Sequence, residues 1–230
     1  MQQFLVSIII VVLTVGMYLG MNRLYLKYSF AFLLPLLTTT IAIIVILSVL
    51  QLSYETYMIG GEWINQLLGP AVVALALPLY KQRKTLMSQL VPIVGGVLIG
   101  LVVGMISGVL LAEVFGVSEN LILSIIPKSI TTPVAIQVAS AIGGIPSLTI
   151  VFVLLAGLTG AVLGPLIFRW FRITSPIGRG IAFGSASHAI GTSKAKEFDE
   201  LTVSISSVSM TLSAILGSSF GTLVVWLFNM

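Results

Sequence analysis

The stretch Leu121–Ser147, LILSIIPKSITTPVAIQVASAIGGIPS, decides how this chain is read. Its flanks are as apolar as a membrane helix, yet its middle holds Pro127, Lys128, Ser129, Thr131, Thr132 and Pro133. Each proline lacks an N–H and clashes with the preceding turn, so the pair breaks the helix. Broken backbone at membrane depth persists only inside protein or beside a water-filled cavity. An ionisable residue at that depth marks a site by default. Together these features point to a gap that holds an anion.

The rest of the chain supports a membrane setting. Hydrophobic residues make up 57% and charged residues 8%, against about 25% charged in soluble domains. Apolar runs recur from end to end, so residues 1–230 read as a single integral-membrane domain in a cell (inner or cytoplasmic) membrane. Residues 4–21 lack a basic leading region and an A-x-A-like cleavage site, so they read as a retained span rather than a signal peptide. With no cysteine there is no disulfide, thiol nucleophile or thiolate metal site. The net charge of +4 comes from loop lysines and arginines and gives no basic face for nucleic acid.

Apolar runs of about 18 residues or more give candidate spans at Phe4–Met21, Ala31–Gln51, Trp63–Tyr80, Val91–Leu111, Leu148–Phe168 and Thr202–Phe228. Pro70 and Pro78 predict a kink in the third. The linkers at 22–29, 81–89 and 169–182 are basic, whereas those at 52–62 and 112–120 carry only glutamates. Basic loops face the cytoplasm. All three basic linkers share that face only if 121–143 enters and leaves from outside as a hairpin, with Lys128 to Pro133 near its tip. A full crossing is the alternative. The segment 181–193 (IAFGSASHAIGTS) is too short for an ordinary span and is expected to re-enter from inside. The fold class is therefore an all-α, multi-spanning bundle with two broken or re-entrant segments, arranged like the inverted repeats of transporters.

Lys128 has two readings. It is either a lysine snorkelling to the headgroups or a counter-charge for a carboxylate, with Ser129, Thr131 and Thr132 as hydroxyl donors. In the second reading a half-helix starting near Pro133 aims free N–H groups at the anion. The second constellation, Gly184 to Lys194, holds Ser187, the lone His188, Gly191 and Thr192. Its small residues permit close helix approach, and His188 is either a structural group or a proton carrier. Glu62, after Gly60-Gly61, is either a solvated loop carboxylate or a second proton-coupling group. Neither a phosphate-binding GxxxxGK[ST] loop nor an HExxH zinc motif is present. Ser187 and His188 have no third carboxylate to complete a hydrolytic triad. The expectation is no enzyme, no metal and no cofactor.

Five blocks resemble the LrgB/CidB family of antiholin-like and holin-like proteins, which includes the membrane half of the plastid glycolate/glycerate translocator. They are Tyr57-Met58-Ile59-Gly60-Gly61-Glu62; Leu67-Leu68-Gly69-Pro70-Ala71 through Pro78-Leu79-Tyr80; Pro127-Lys128-Ser129-Ile130-Thr131-Thr132-Pro133; Gly143-Gly144-Ile145-Pro146-Ser147-Leu148-Thr149; and Ala186-Ser187-His188-Ala189-Ile190-Gly191-Thr192. The resemblance runs from about Tyr54 to Ala195, so the chain divides into two N-terminal spans (1–51) and a family core (54–228). An Asn-Pro usual before the second span's core is Leu34-Pro35 here. The resemblance implies one of two activities. One is carriage of small monocarboxylates of the pyruvate, glycolate, glycerate or lactate type. The other is holin-like or antiholin-like regulation of murein hydrolase activity and cell lysis. It also implies a smaller LrgA-type membrane partner, and homo-oligomers are compatible with it.

The polar blocks fit a carrier better than a holin, which needs amphipathic helices but no Lys-Ser-x-Thr-Thr-Pro break. The expected mechanism is alternating access. Lys128, Ser129, Thr131 and Thr132 bind the carboxylate. Ser187, His188 and Thr192 complete the site or carry a proton. Pro70, Pro127, Pro133 and Gly191 break the helices. The two breaks are expected to face each other.

Overall fold

The structure, a computed structural model, describes residues 2–28, 30, 33 and 35–228. Ala31, where the second expected span begins, and Leu34 of the Leu34-Pro35 pair lie outside the described residues. Among the described residues there is no strand. The helices run α1 (Gln2–Tyr28), α2 (Pro35–Val49), α3 (Tyr54–Asn65), α4 (Leu68–Ala74), α5 (Ala76–Lys81), α6 (Arg83–Ser88), α7 (Leu90–Val114), α8 (Glu119–Ile125), α9 (Thr132–Ile142), α10 (Pro146–Trp170), α11 (Pro176–Ala195) and α12 (Glu200–Phe228). A 3-10 turn at Ile126–Ser129 separates α8 from α9.

Among the described residues, five helical stretches are long and apolar enough to cross a bilayer: Gln3–Tyr28, Tyr54–Lys81, Leu90–Val114, Pro146–Trp170 and Glu200–Phe228. They cover five of the six expected spans. The described α2 has 15 residues, about 22 Å of helix, which is short of a hydrocarbon core of about 30 Å. The second stretch is interrupted after Asn65 and again at Leu75. Pro70 cannot donate to the Gln66 carbonyl, nor Pro78 to that of Ala74, so the interruptions fall one turn before each proline.

The described residues form two compact units, one ending at Ala71 and the other beginning at Val72. In the first, α1 packs on α2 and α3. A Cβ on Gly60 would lie 2.6 Å from Ile10 Cβ and 2.8 Å from the Ser7 carbonyl oxygen, so only glycine allows α3 that close to α1. The Ser7 hydroxyl donates to Ile59 O at 3.1 Å, and the Thr14 and Tyr57 hydroxyls lie 3.2 Å apart.

The second unit is built on α7, α10 and α12. Helix α7 is apolar around its whole circumference. It buries Ile93, Val97, Leu101, Met105 and Val109, four residues apart, and exposes Ile99, Val103, Leu110 and Leu111. That outer surface would be costly in water and costs nothing against lipid tails, which are as apolar as the side chains themselves.

Two hairpins fill the space between these long helices. In the first, α8 enters, the chain turns through Ile126–Thr131, and α9 returns. Its base is closed by the Ile145 N–H donating to Ser124 Oγ at 2.7 Å and by the Thr149 hydroxyl donating to Ser124 O at 2.9 Å. A Cβ on Gly144 would lie 3.0 Å from the Ser124 nitrogen. The chain thus comes out where it went in, which is the hairpin reading of 121–143 rather than the full crossing. Gly143, at φ +87°, ends α9 in the left-handed conformation that glycine adopts without strain.

The second hairpin is α11. His188 has φ +42° and ψ −130°, far from helical values. In a continuous helix Phe183 and Phe198 would stand about 22 Å apart; their ring centroids are 5.8 Å apart. A Cβ on Gly191 would lie 2.5 Å from the Phe183 carbonyl oxygen. The chain therefore reverses at His188, so 181–193 forms a hairpin rather than a span. Phe168, Phe183, Phe198 and Ala195 pack around the base, with Phe168 and Phe183 edge to face at 5.0 Å. The first arm lies along α12. Gly180 and Gly184 bring it onto the α12 backbone, where added Cβ atoms would meet Thr202 O at 2.9 Å and Ser209 Cβ at 2.7 Å.

Candidate functional site: two opposed hairpin tips

The two hairpins approach from opposite ends of the unit, and α7 records their directions. Its glycines at 96, 100, 104 and 108 form one stripe, one helical turn apart. Cβ atoms added there would meet, in order, Ile181 Cγ2 at 2.9 Å, Ser185 Oγ at 3.0 Å, Ser129 Oγ at 3.2 Å and Lys128 Nζ at 2.9 Å. Partner numbers rise along the second hairpin and then fall along the first. The hairpins therefore point at each other and meet between Gly100 and Gly104, a rise of about 6 Å. Helix α11 also contacts the 3-10 turn directly.

Helix α10 carries the same pattern. Thr149 holds Ser124 of the first hairpin, and the Val153 carbonyl lies 2.9 Å from His188 Nε2. Gly157 packs on the His188 ring, Gly160 on Ser187 and Gly164 on Phe183. A carbonyl oxygen only accepts, so Nε2 carries the hydrogen in this bond. His188 is 2% exposed.

The expected site residues divide by neighbour. Ser187 and His188 face α10. The Thr192 hydroxyl donates to His188 O at 2.9 Å and lies 2.8 Å from Ser206 Oγ on α12. Ser129 and Thr131 are buried in the first tip. Ile130 and Thr131 are extended, and Thr132 and Pro133 open α9. Pro127 sits inside the 3-10 turn with non-helical dihedral angles. Lys128 diverges from Ser129. Its ammonium donates to the Gly104 carbonyl and lines a cavity of about 460 Å³ with Ser107, Gly108, Leu111, Phe115 and Phe152. That cavity has one charged group in otherwise mostly apolar walls. Glu62 and Gly61 belong to α3 in the N-terminal unit, where the exposed Glu62 carboxylate lies 3.4 Å from Asn65 Nδ2. Pro70 is in α4. Among the described residues, no cluster of three His, Cys, Asp or Glu side chains could hold a metal.

Sequence reasoning missed the hydroxyl stripe of α12. Thr202, Ser206, Ser209 and Ser213 lie on one face and are all buried. Thr202 Oγ1 donates to Asp199, and Ser206 meets Thr192. Ser209 and Ser213 hydroxyls have no hydrogen-bond partner among the described residues. Ser209 abuts Gly184 of the second hairpin, and Gly217, one turn beyond Ser213, abuts Ile130 of the first. Ser213 therefore lies on α12 between the levels of the two hairpins, and Ser209 one turn earlier beside the second. A buried hydroxyl without a partner costs about 1–3 kcal/mol, a cost that a bound polar group removes. The readable signal was polar residues at helical spacing inside an apolar span.

Five apolar helical stretches with two opposed hairpins packed among them make this a multi-pass membrane protein. The profile of the LrgB-like family matches residues 14–227, and the chain belongs to that family. The match reaches well beyond Tyr54–Ala195 in both directions, so most of α1, all of the described α2 and nearly all of α12 are family features too. The chain is 62% identical to YxaC of Bacillus subtilis (strain 168), over the full length of both. It is 37% identical to the holin-like protein CidB of Staphylococcus aureus (strain N315), over 99% of this chain and all of that one. With YwbG of the same Bacillus strain it shares 40% over 92% of this chain and 94% of the relative. No solved structure matches. The protein is accordingly a multi-pass protein of the cell membrane.

Proposed function

We propose that this protein carries small monocarboxylates, of the pyruvate, glycolate, glycerate or lactate type, by alternating access. The observation that carries the reading is the meeting of two re-entrant hairpins from opposite ends of one unit, between Gly100 and Gly104 of α7. Tips that meet in the middle can form an inner and an outer gate around one site. A pore needs no such pair. The N-terminus of α9 supplies positive charge for a carboxylate at the tips, and the Lys128 ammonium supplies more from the adjoining cavity, where the Gly104 carbonyl holds it. Ser129, Thr131 and Thr132 supply hydroxyls. Ser187, His188 and Thr192 complete the site from the second tip, with Ser209 and Ser213 as unpaired donors on the flanking helix α12. His188 and Glu62 are the candidates for proton coupling, and a small LrgA-type membrane protein is the expected partner.

The name of the CidB relatives favours a second reading, a holin-like regulator of murein hydrolase activity and lysis. One experiment separates the two: uptake by proteoliposomes holding the purified protein, with and without the small partner. Saturable uptake of one labelled carboxylate, competed by its analogues and unaccompanied by dye leakage, is the carrier outcome. Release of unrelated solutes of graded size supports the holin-like reading and ends the carrier proposal.

A further inference from the structure

The end of α10 and the base of the second hairpin enclose a bay that the transport reading does not use. Its volume is about 460 Å³, and Arg169, Arg172 and Arg179 line it together with Phe168, Ile173 and Phe198. No carboxylate is among its lining residues. Arg169 and Arg172 have no ion-pair partner among the described residues. Arg179 donates from Nε to Ile173 O at 2.9 Å and lies over the Phe198 ring at 5.0 Å, which leaves its two terminal nitrogens for another acceptor. The nearby Asp199 carboxylate is already occupied. The Thr202 N–H and hydroxyl donate to it at 2.8 Å each, and with the Arg179 charge they hold its pKa below the ordinary carboxylate value.

Three guanidinium groups beside an aromatic wall have the chemistry that suits a phosphate diester, because a planar guanidinium can grip two oxygens at once. The aromatic rings beside the bay favour a lipid as the source of the phosphate. Trp170 and Phe171, between Arg169 and Arg172, are 78% and 73% exposed, as aromatic rings are at headgroup level. Basic pockets between helices on the cytoplasmic side suit anionic headgroups, and the loop-charge rule assigns this end to the cytoplasm. A zwitterionic lipid would bring its own cation into a cluster of three.

We propose that this bay binds the headgroup of an anionic phospholipid and thereby ties the end of α10 to the base of the second hairpin. The test uses the purified full-length protein, delipidated in non-ionic detergent, with phosphatidylglycerol, phosphatidylcholine or inorganic phosphate titrated in. Bound lipid is counted by native mass spectrometry and the melting temperature is followed in parallel. Phosphatidylglycerol should bind and raise the melting temperature, while phosphatidylcholine and inorganic phosphate should not. The double variant Arg169→Gln/Arg172→Gln, which removes exposed side chains without ion-pair partners, should bind phosphatidylglycerol about thirtyfold more weakly and melt unchanged without lipid. The control Lys81→Gln/Lys84→Gln removes two other charges of the second unit and should leave binding intact. Equal binding of phosphatidylcholine, stabilisation by inorganic phosphate alone, or equal loss in the control overturns the proposal.

Discussion

The two hairpins reach the same level by different chemistry. The first is broken by Pro127 and Pro133, with two extended residues between them, and its base is pinned by the Ser124 hydrogen bonds to Ile145 and Thr149. The second contains no proline at its turn. It reverses at a single residue, His188, held at positive φ by its ring bond to Val153 and by packing on Gly157. The first hairpin breaks because its residues cannot continue a helix. The second breaks because surrounding helices force it to. Intrinsic breakage needs little tertiary support, whereas imposed breakage stores strain of about 1–3 kcal/mol that neighbours must offset.

The largest expected effect tests Lys128, the lysine at the turn of the first hairpin. Lys128→Ala should reduce carboxylate uptake in proteoliposomes about thirtyfold or more, the usual cost of removing one side of a buried charged contact. Lys128→Arg should keep part of it, since the charge stays but the compact ammonium is lost. Full uptake by Lys128→Ala would remove the first tip from the substrate site.

Packing should distinguish the hairpins next. Gly184→Ala drives a methyl group into the Ser206 carbonyl and the Ser209 Cβ on α12, and should cost about 1–3 kcal/mol of stability in detergent. Gly108→Ala meets only the end of the long Lys128 side chain, at 2.9 Å, and should cost less than about 1 kcal/mol. Equal losses would mean that the second hairpin is no more tightly seated than the first.

The turn itself gives a smaller signal. His188→Gly and His188→Ala both lose the ring bond to Val153, but glycine tolerates positive φ and alanine does not. The glycine variant should be the more stable by about 1 kcal/mol or more, read from paired melting curves. If alanine equals glycine, the chain does not reverse there and the two hairpins are not comparable. Least affected should be Pro133→Ala, within about 1 kcal/mol of the parent. Pro133 lies in the first turn of α9, where its N–H would be unpaired anyway. A larger loss would show that the first break depends on this proline alone.

The same contrast explains what could be read in the chain. Pro127 and Pro133 are local signals, so the first break, its hairpin form and the kinks before Pro70 and Pro78 followed from residue chemistry and loop charge. The sequence marks Gly191 as the second break, yet the chain turns three residues earlier at His188, and Gly191 instead lets the returning arm close on the Phe183 carbonyl. Only the shortness of 181–193 hinted at re-entry, and the turning residue depends on Val153 and Gly157 of another helix. The direction of Lys128 was equally hidden, because Gly104 and Gly108, more than a span away in sequence, decide where the ammonium goes. Ser209 and Ser213 went unread because hydroxyls are common inside membrane helices, and only the hairpins packed beside α12 make two of them matter.

The glycine stripe of α7 has a consequence for how this helix can vary. Inserting or deleting one residue between Gly96 and Gly108 would rotate everything beyond it by about 100°. One hairpin would keep its groove while the other met large side chains such as Val103 or Met105. The length of α7 across those thirteen positions is thus fixed by two partners at once, although its lipid-facing residues can interchange freely among apolar types. In natural or designed variants, changes of length should collect at the ends of α7, outside the segment that both hairpins use as a common ruler.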